Sequence, residues 1–177
     1  MTVYTLQDQY AGCAAESVYA TGIPAARFFE YESETFQGKY ARIESSGIRA
    51  GTRVERTDRW AVNFKGADGE LKTEILDSGF GLLFWHMLGS YSAGTATGGW
   101  TPYTFQVGPL VGLSQTWQVG RVDVNGGMNP YTYEGGKVRT WELSNDVDGV
   151  LKFAYSLDFA RETIGAGSGA YAQATPA

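Results

Sequence analysis

One histidine, one cysteine and an alternating run of glutamates are the residues of this 177-residue chain best suited to chemistry. His86 has no second histidine and no cysteine cluster with which to complete a metal site, and the chain has no Gly-x-Ser-x-Gly elbow to present a serine to it. It reads as a partly exposed helix residue. Glu30, Glu32 and Glu34 alternate and would share one face of a strand. A pair of such carboxylates is what a glycosidase uses as acid and nucleophile, but three like charges on one face more often meet solvent or a basic strip. Asp146-Val-Asp-Gly149 resembles a fragment of a calcium loop without the remaining oxygen ligands or the closing glutamate, so it reads as a hairpin turn. The glycine runs at 94–99 and 165–169 lack the Gly-Lys-Ser/Thr of a phosphate loop. No catalytic set, metal site or cofactor site emerges, and the expectation is a protein that is not an enzyme.

Composition narrows the classes further. Hydrophobic residues make up 43% and charged residues 19%, which is a globular rather than a disordered balance. A net charge of −5 argues against general nucleic-acid binding, which needs a basic surface to displace counterions from phosphate. Lys39, Arg42, Arg49, Arg53, Arg56 and Arg59 do cluster, but Glu44, Glu55 and Asp58 interrupt them, so pairing with a neighbouring acidic surface is the better reading. Cys13 alone can form neither an internal disulfide nor a cysteine-built zinc site, which suits a reducing compartment. The polar start has no signal-peptide pattern and no stretch is long and apolar enough for a membrane helix, so synthesis in a cytoplasm is expected.

The elements that must position these residues are mostly strands. From Leu151 to Phe159 the odd positions are Leu, Phe, Tyr, Leu and Phe, and the even ones are polar or small. A period of two places the large residues on one face. The runs Trp60-Val62-Phe64, Leu71-Thr73-Ile75, Tyr103-Phe105-Val107 and Leu113-Gln115-Trp117-Val119 repeat it. Lys65-Gly-Ala-Asp-Gly69 and Asn145-Asp-Val-Asp-Gly149 read as hairpin loops between runs. With several Trp and Tyr on such apolar faces, most are expected in the core. The pattern predicts a mainly β fold, an antiparallel β-sandwich or barrel.

One helix is predicted, over about 78–89. Phe80, Leu83, Phe84, Met87 and Leu88 form a helical stripe, Asp77 or Ser78 offers an N-cap and Gly89 a stop. Leu82 and Trp85 lie off that stripe, either left for a partner or buried beneath a loop. Residues from about 28 to 60 read as an extended arm or hairpin with a polar, charge-mixed middle that has little to bury. Residues 165–177, rich in Gly, Ala and Ser, read as a flexible tail on a single domain.

Taken in order, these segments resemble the tail tube proteins of long-tailed bacteriophages, particularly those of actinobacterial hosts. The likeness is carried by Arg27-Phe-Phe-Glu-Tyr-Glu-Ser-Glu34, Arg42-Ile-Glu-Ser-Ser-Gly-Ile-Arg-Ala-Gly51 and the helical Leu76 to Ser90. It continues through Gln118-Val-Gly-Arg121, Pro130 to Val138, Trp141-Glu-Leu-Ser and Asp148 to Lys152, covering about Arg27 to Glu162. The resemblance implies six subunits in a ring, with strands joined into an inner barrel, and rings stacked into a hollow virion tail tube that DNA traverses without specific binding. It implies as partners the chain itself, a tape measure, a tail terminator and a baseplate or tip. In that setting Lys39, Tyr40, Arg42, Glu44, Arg49, Arg53, Leu82 and Trp85 are the assembly candidates, and Glu30 and Glu32 the candidates to face the lumen. The main rival is a carbohydrate-binding β-sandwich module, which would need its aromatic residues exposed in a row; a β-sandwich hydrolase is disfavoured by the missing catalytic set.

Overall fold

A computed structural model of the chain describes residues 6–44, 51, 60–75 and 79–165. After a short 3-10 turn at Leu6–Asp8 come strands β1 (Tyr10–Ala15), β2 (Arg27–Phe29), β3 (Ser33–Glu34), β4 (Gln37–Glu44) and β5 (Trp60–Glu74). The helix α1 (Gly81–Leu88) follows, then β6 (Gly89–Ala93), β7 (Tyr103–Val107), β8 (Gln115–Val122), β9 (Met128–Ser144), β10 (Lys152–Phe159) and β11 (Arg161–Ile164). The predicted mainly β fold with a single flanking helix is what forms. All pairings are antiparallel: β2-β1-β8-β9-β10-β5-β3 run in order through one curled sheet, β11 adds to β9, β4 adds to β5, and β6 with β7 forms a separate hairpin.

The long strand β9 makes the curl. Its first half pairs with β8 and β11 and its second half with β10, and Gly135-Gly136 sits between the halves. Gly135 has φ of 69°, a conformation open to glycine, and a Cβ on Gly136 would lie 2.8 Å from the Gln115 carbonyl and the Phe159 ring. The sheet therefore folds over on itself. Trp117 of β8 meets Tyr155 of β10 at 6.3 Å between ring centroids, although β9 separates their strands. Phe36, 1% exposed, closes the gap with edge-on contacts to Trp117, Tyr133 and Phe159 at 5.6, 5.6 and 5.1 Å.

Helix α1 covers the open side of this core with Leu83 and Met87, and Phe80 packs edge-on to Phe29 and Phe153. Gly89 ends the helix in a left-handed cap, φ 96°, as its position predicts. The residue before the helix, Phe80, makes no side-chain cap; the proposed caps Asp77 and Ser78 lie outside the described residues.

Several expectations need correction. Lys65 to Gly69 is not a hairpin loop, because β5 runs through it for fifteen residues. The glycine there serves a bulge instead. The β4–β5 register slips between Gly38 and Tyr40, and Gly66 takes φ 89° where a Cβ would sit 2.6 Å from the Phe159 carbonyl. The predicted arm also begins later than residue 28, since Phe29 and Phe36 belong to the core. Strand β1 carried no signal: Tyr-Ala-Gly-Cys-Ala-Ala is buried on both faces between β2 and β8, so it shows no alternation. His86 is buried rather than partly exposed.

Candidate assembly surfaces

The arm is a two-stranded ribbon. β10 pairs only with residues 67–74 of β5, so, among the described residues, 60–64 have β4 as their one strand neighbour. Register puts Tyr40 opposite Phe64, Arg42 opposite Val62 and Glu44 opposite Trp60, on one face. That face carries a row of apolar side chains in the open: Tyr40, Val62 and Trp60 are 57%, 59% and 49% exposed. The Arg42 guanidinium lies 5.1 Å over the Trp60 ring and pairs with Glu44 at 2.7 Å. An isolated ribbon of this kind is marginal in water without a layer to cover it.

At its root the ribbon is tied down. Glu162 of β11 accepts from the Gly38 N–H at 3.1 Å and the Tyr40 hydroxyl at 2.6 Å, and that bond pushes the Tyr40 phenol up to about 12. Lys39 pairs with Asp68 at 2.5 Å. Next to the root, Arg121 grips Glu34 through two 2.8 Å bonds, donates to the Phe36 carbonyl at 2.6 Å and lies 4.5 Å over the Tyr131 ring. Glu34 thus turns inward, and the three glutamates do not share a face. Glu32 stays exposed and accepts from Lys152 at 2.6 Å; Glu30 is exposed in the turn between β2 and β3.

Glu32 and Lys152 belong to a polar face of β10 and β5. Opposite the core residues Phe153, Tyr155 and Leu157, register places Lys152 with Glu74, Ala154 with Lys72, Ser156 with Glu70 and Asp158 with Asp68. Arg139 lies 3.6 Å from both Asp68 and Asp158. The face is charged in both signs, with the charges interleaved.

A second apolar surface lies beside the helix. Leu82, Phe84 and Trp85 of α1 and Tyr91, Tyr103 and Phe105 of the β6–β7 hairpin line an open groove of ≈ 610 Å³, with Arg27 the one charged residue among the described lining. Trp85 packs edge-on to Tyr91 at 5.2 Å, and Tyr91 and Tyr103 are 47% and 56% exposed. Leu82 and Trp85 are half-buried along this groove. Arg49 and Arg53 lie outside the described residues. Trp100 and Trp141 are also in the open, 62% and 45% exposed, so the expectation of mostly buried aromatics fails for tryptophan. Alternation marks a face but not what covers it.

Sequence reasoning missed one buried polar cluster. Glu16, 7% exposed, accepts from Ser114 Oγ at 2.6 Å, Thr116 Oγ1 at 2.8 Å, and the Gly135 and Ala20 N–H groups at 2.8 and 2.9 Å. It fastens the loop after β1, including Ala20 in a left-handed conformation (φ 55°), onto β8 and β9. His86 sits close by, its Nδ1 2.9 Å from the Leu82 carbonyl and its Nε2 3.2 Å from that of Ser114. Burial holds the His86 ring below its ordinary range, partly offset by those carbonyls and by Glu16. Both ring nitrogens thus lie against backbone carbonyls. Among the described residues no three His, Cys, Asp or Glu side chains gather as a metal would require, and no helix is long and apolar enough to cross a membrane.

No known family model matches the sequence, and no curated protein matches it. Solved structures do share its fold. A chain of the sheath/tube terminator of an extracellular contractile injection system (PVC), in the extended state, aligns with a TM-score of 0.51 over 94% of this chain and 99% of that chain, at 11% identity. A chain of the sheath–tube complex of the same system aligns with a TM-score of 0.50 over 91% and 90%, at 9% identity. The SPP1 tail tube aligns at 0.42 over 88% and 76%, at 14% identity. Alignment over nine-tenths or more of both chains with the two injection-system structures, at such low identity, is a likeness of architecture, and this chain shares their fold.

Proposed function

We propose that this chain is the structural subunit of a bacteriophage tail tube. Copies form rings, six to a ring in this reading, and the rings stack into a hollow conduit for DNA in the virion tail. The observation that carries it is the free-standing ribbon with its uncovered apolar row, on a fold found in tube complexes. A monomer has nothing to gain from a solvent-exposed strip of Tyr40, Val62 and Trp60, whereas in an assembly that strip is buried. One domain, in this reading, supplies the ring and stacking contacts. Tape measure, terminator and baseplate or tip proteins are its expected partners at the tube's interior and ends.

The charge-interleaved face of β5 and β10 is the surface best suited to the channel, with Glu32 among its lining residues. Because each charge there has an opposite neighbour, the face offers DNA no continuous basic track to grip. Electron microscopy of the purified protein across a concentration series tests the reading. Rings or hollow tubes are expected; particles that stay monomeric at every concentration, with or without a nucleating tail end, count against it.

A second reading is favoured by one feature. Trp85, Tyr91 and Tyr103 around a groove, with Trp100 exposed nearby, are the kind of aromatic platform on which sugar rings stack. A monomer retaining an oligosaccharide in a glycan screen would support a carbohydrate-binding module in place of a tube subunit.

A further inference from the structure

Two of the exposed apolar surfaces among the described residues differ in shape. One is a projecting row, Tyr40, Val62 and Trp60 on the arm ribbon. The other is concave, the groove between α1 and the β6–β7 hairpin. We infer that the arm of one subunit seats its apolar row in the helix-side groove of a second copy. The inference rests on the tube reading and specifies the contact that would join its subunits.

Shape and charge both bear on the choice of occupant. A projection and a cavity at different places on one chain make a head-to-tail contact, which propagates into a ring or a filament rather than closing as a dimer. Among the described residues, Arg27 is the one charged residue lining the groove. The described row ends in a carboxylate, Glu44, whose side chain is 64% exposed and pairs with Arg42 at 2.7 Å. An exposed pair of that kind exchanges partners readily, so Glu44 can turn to Arg27 while Arg42 stays over Trp60. The anchors are aromatic on both sides, the residue type that dominates the energy of protein interfaces. The root of the ribbon is already fixed by Glu162 and Asp68, so the row is presented rather than searching.

The test is disulfide trapping in the full-length protein. Val62→Cys and Tyr103→Cys are made as separate variants at positions 59% and 56% exposed, where neither should disturb folding. The native Cys13 is buried, and burial pushes its thiol far up, so it stays out of the reaction. Mixing the two variants under assembling conditions with mild oxidant should give at least roughly ten-fold more disulfide-linked dimer than either variant alone, since the bond needs Cα atoms within about 7 Å. As a second arm, Tyr103→Glu should abolish assembly while leaving the monomer's melting temperature unchanged. Efficient dimers from Val62→Cys alone would mean that arms pack against arms, and would overturn the inference. Tubes seen by microscopy in the mixed sample without a mixed disulfide would overturn groove docking and leave the tube reading standing. A wild-type protein that forms neither rings nor tubes, and whose groove retains a sugar, would remove both.

Discussion

Glu16 shows how a single carboxylate organises this chain. Four donors converge on it from a loop, a strand start and the bend of β9, and no cation is among those bonds. Glu16→Ala leaves several of those donors buried without an acceptor and should cost upward of about 3 kcal/mol, while Glu16→Gln, keeping one acceptor, should cost less. Urea midpoints of the two variants check the order. His86 gives a pH dependence. Its folded-state pKa is depressed, so the unfolded chain binds the proton first as pH falls; the stabilisation is whole above the unfolded value of about 6.5 and is lost below it. The wild type should thus lose stability between pH 7.5 and 5.8, and His86→Asn should flatten that slope. An unchanged slope would mean that the ring keeps its ordinary pKa. In the core, Phe36→Ala should cost about 3–5 kcal/mol, because it empties the contact between the two halves of the folded sheet.

At the scale of elements, the ribbon and the helix are set apart by what covers them. Residues 40–44 and 60–64 pair with each other and, among the described residues, have no further strand beside them, so their amides should exchange quickly in the free subunit and slowly in the tube. Equal, strong protection in both states, measured by hydrogen exchange, would show the ribbon to be stable by itself. Trp85 lies on the groove side of α1, while Leu83 and Met87 hold the helix to the core. Trp85→Ala should therefore weaken assembly more than folding, read as a raised concentration for tube formation with a melting temperature little changed. Much of this was legible beforehand. The stripe of α1, its stop at Gly89 and the turn at Asp146 to Gly149 follow from spacing and glycine placement. Strand β1 and the continuous β5 were not legible. One is buried on both faces and has no period, and the other passes through a Gly-Ala-Asp-Gly sequence that reads locally as a loop.

For the molecule as a whole, the acidic balance and the interleaved face of β5 and β10 lead to one expectation about cargo. Duplex DNA should show no retention by the protein even at low ionic strength, where the Debye length reaches about 30 Å and any basic track would act at long range. A retained band that fades with salt would point instead to a gripping surface. The sequence by itself determined the class of fold and the place of the helix, because these depend on local period and caps. Only the tertiary structure decided which alternating faces are core. Trp117 and Trp60 sit in runs of the same pattern, yet one is sealed beneath Phe36 and Tyr155 while the other, 49% exposed, stands on a ribbon with the Arg42 guanidinium over its ring. Burial depends on the layer across the face, and that layer comes from residues far away in the chain.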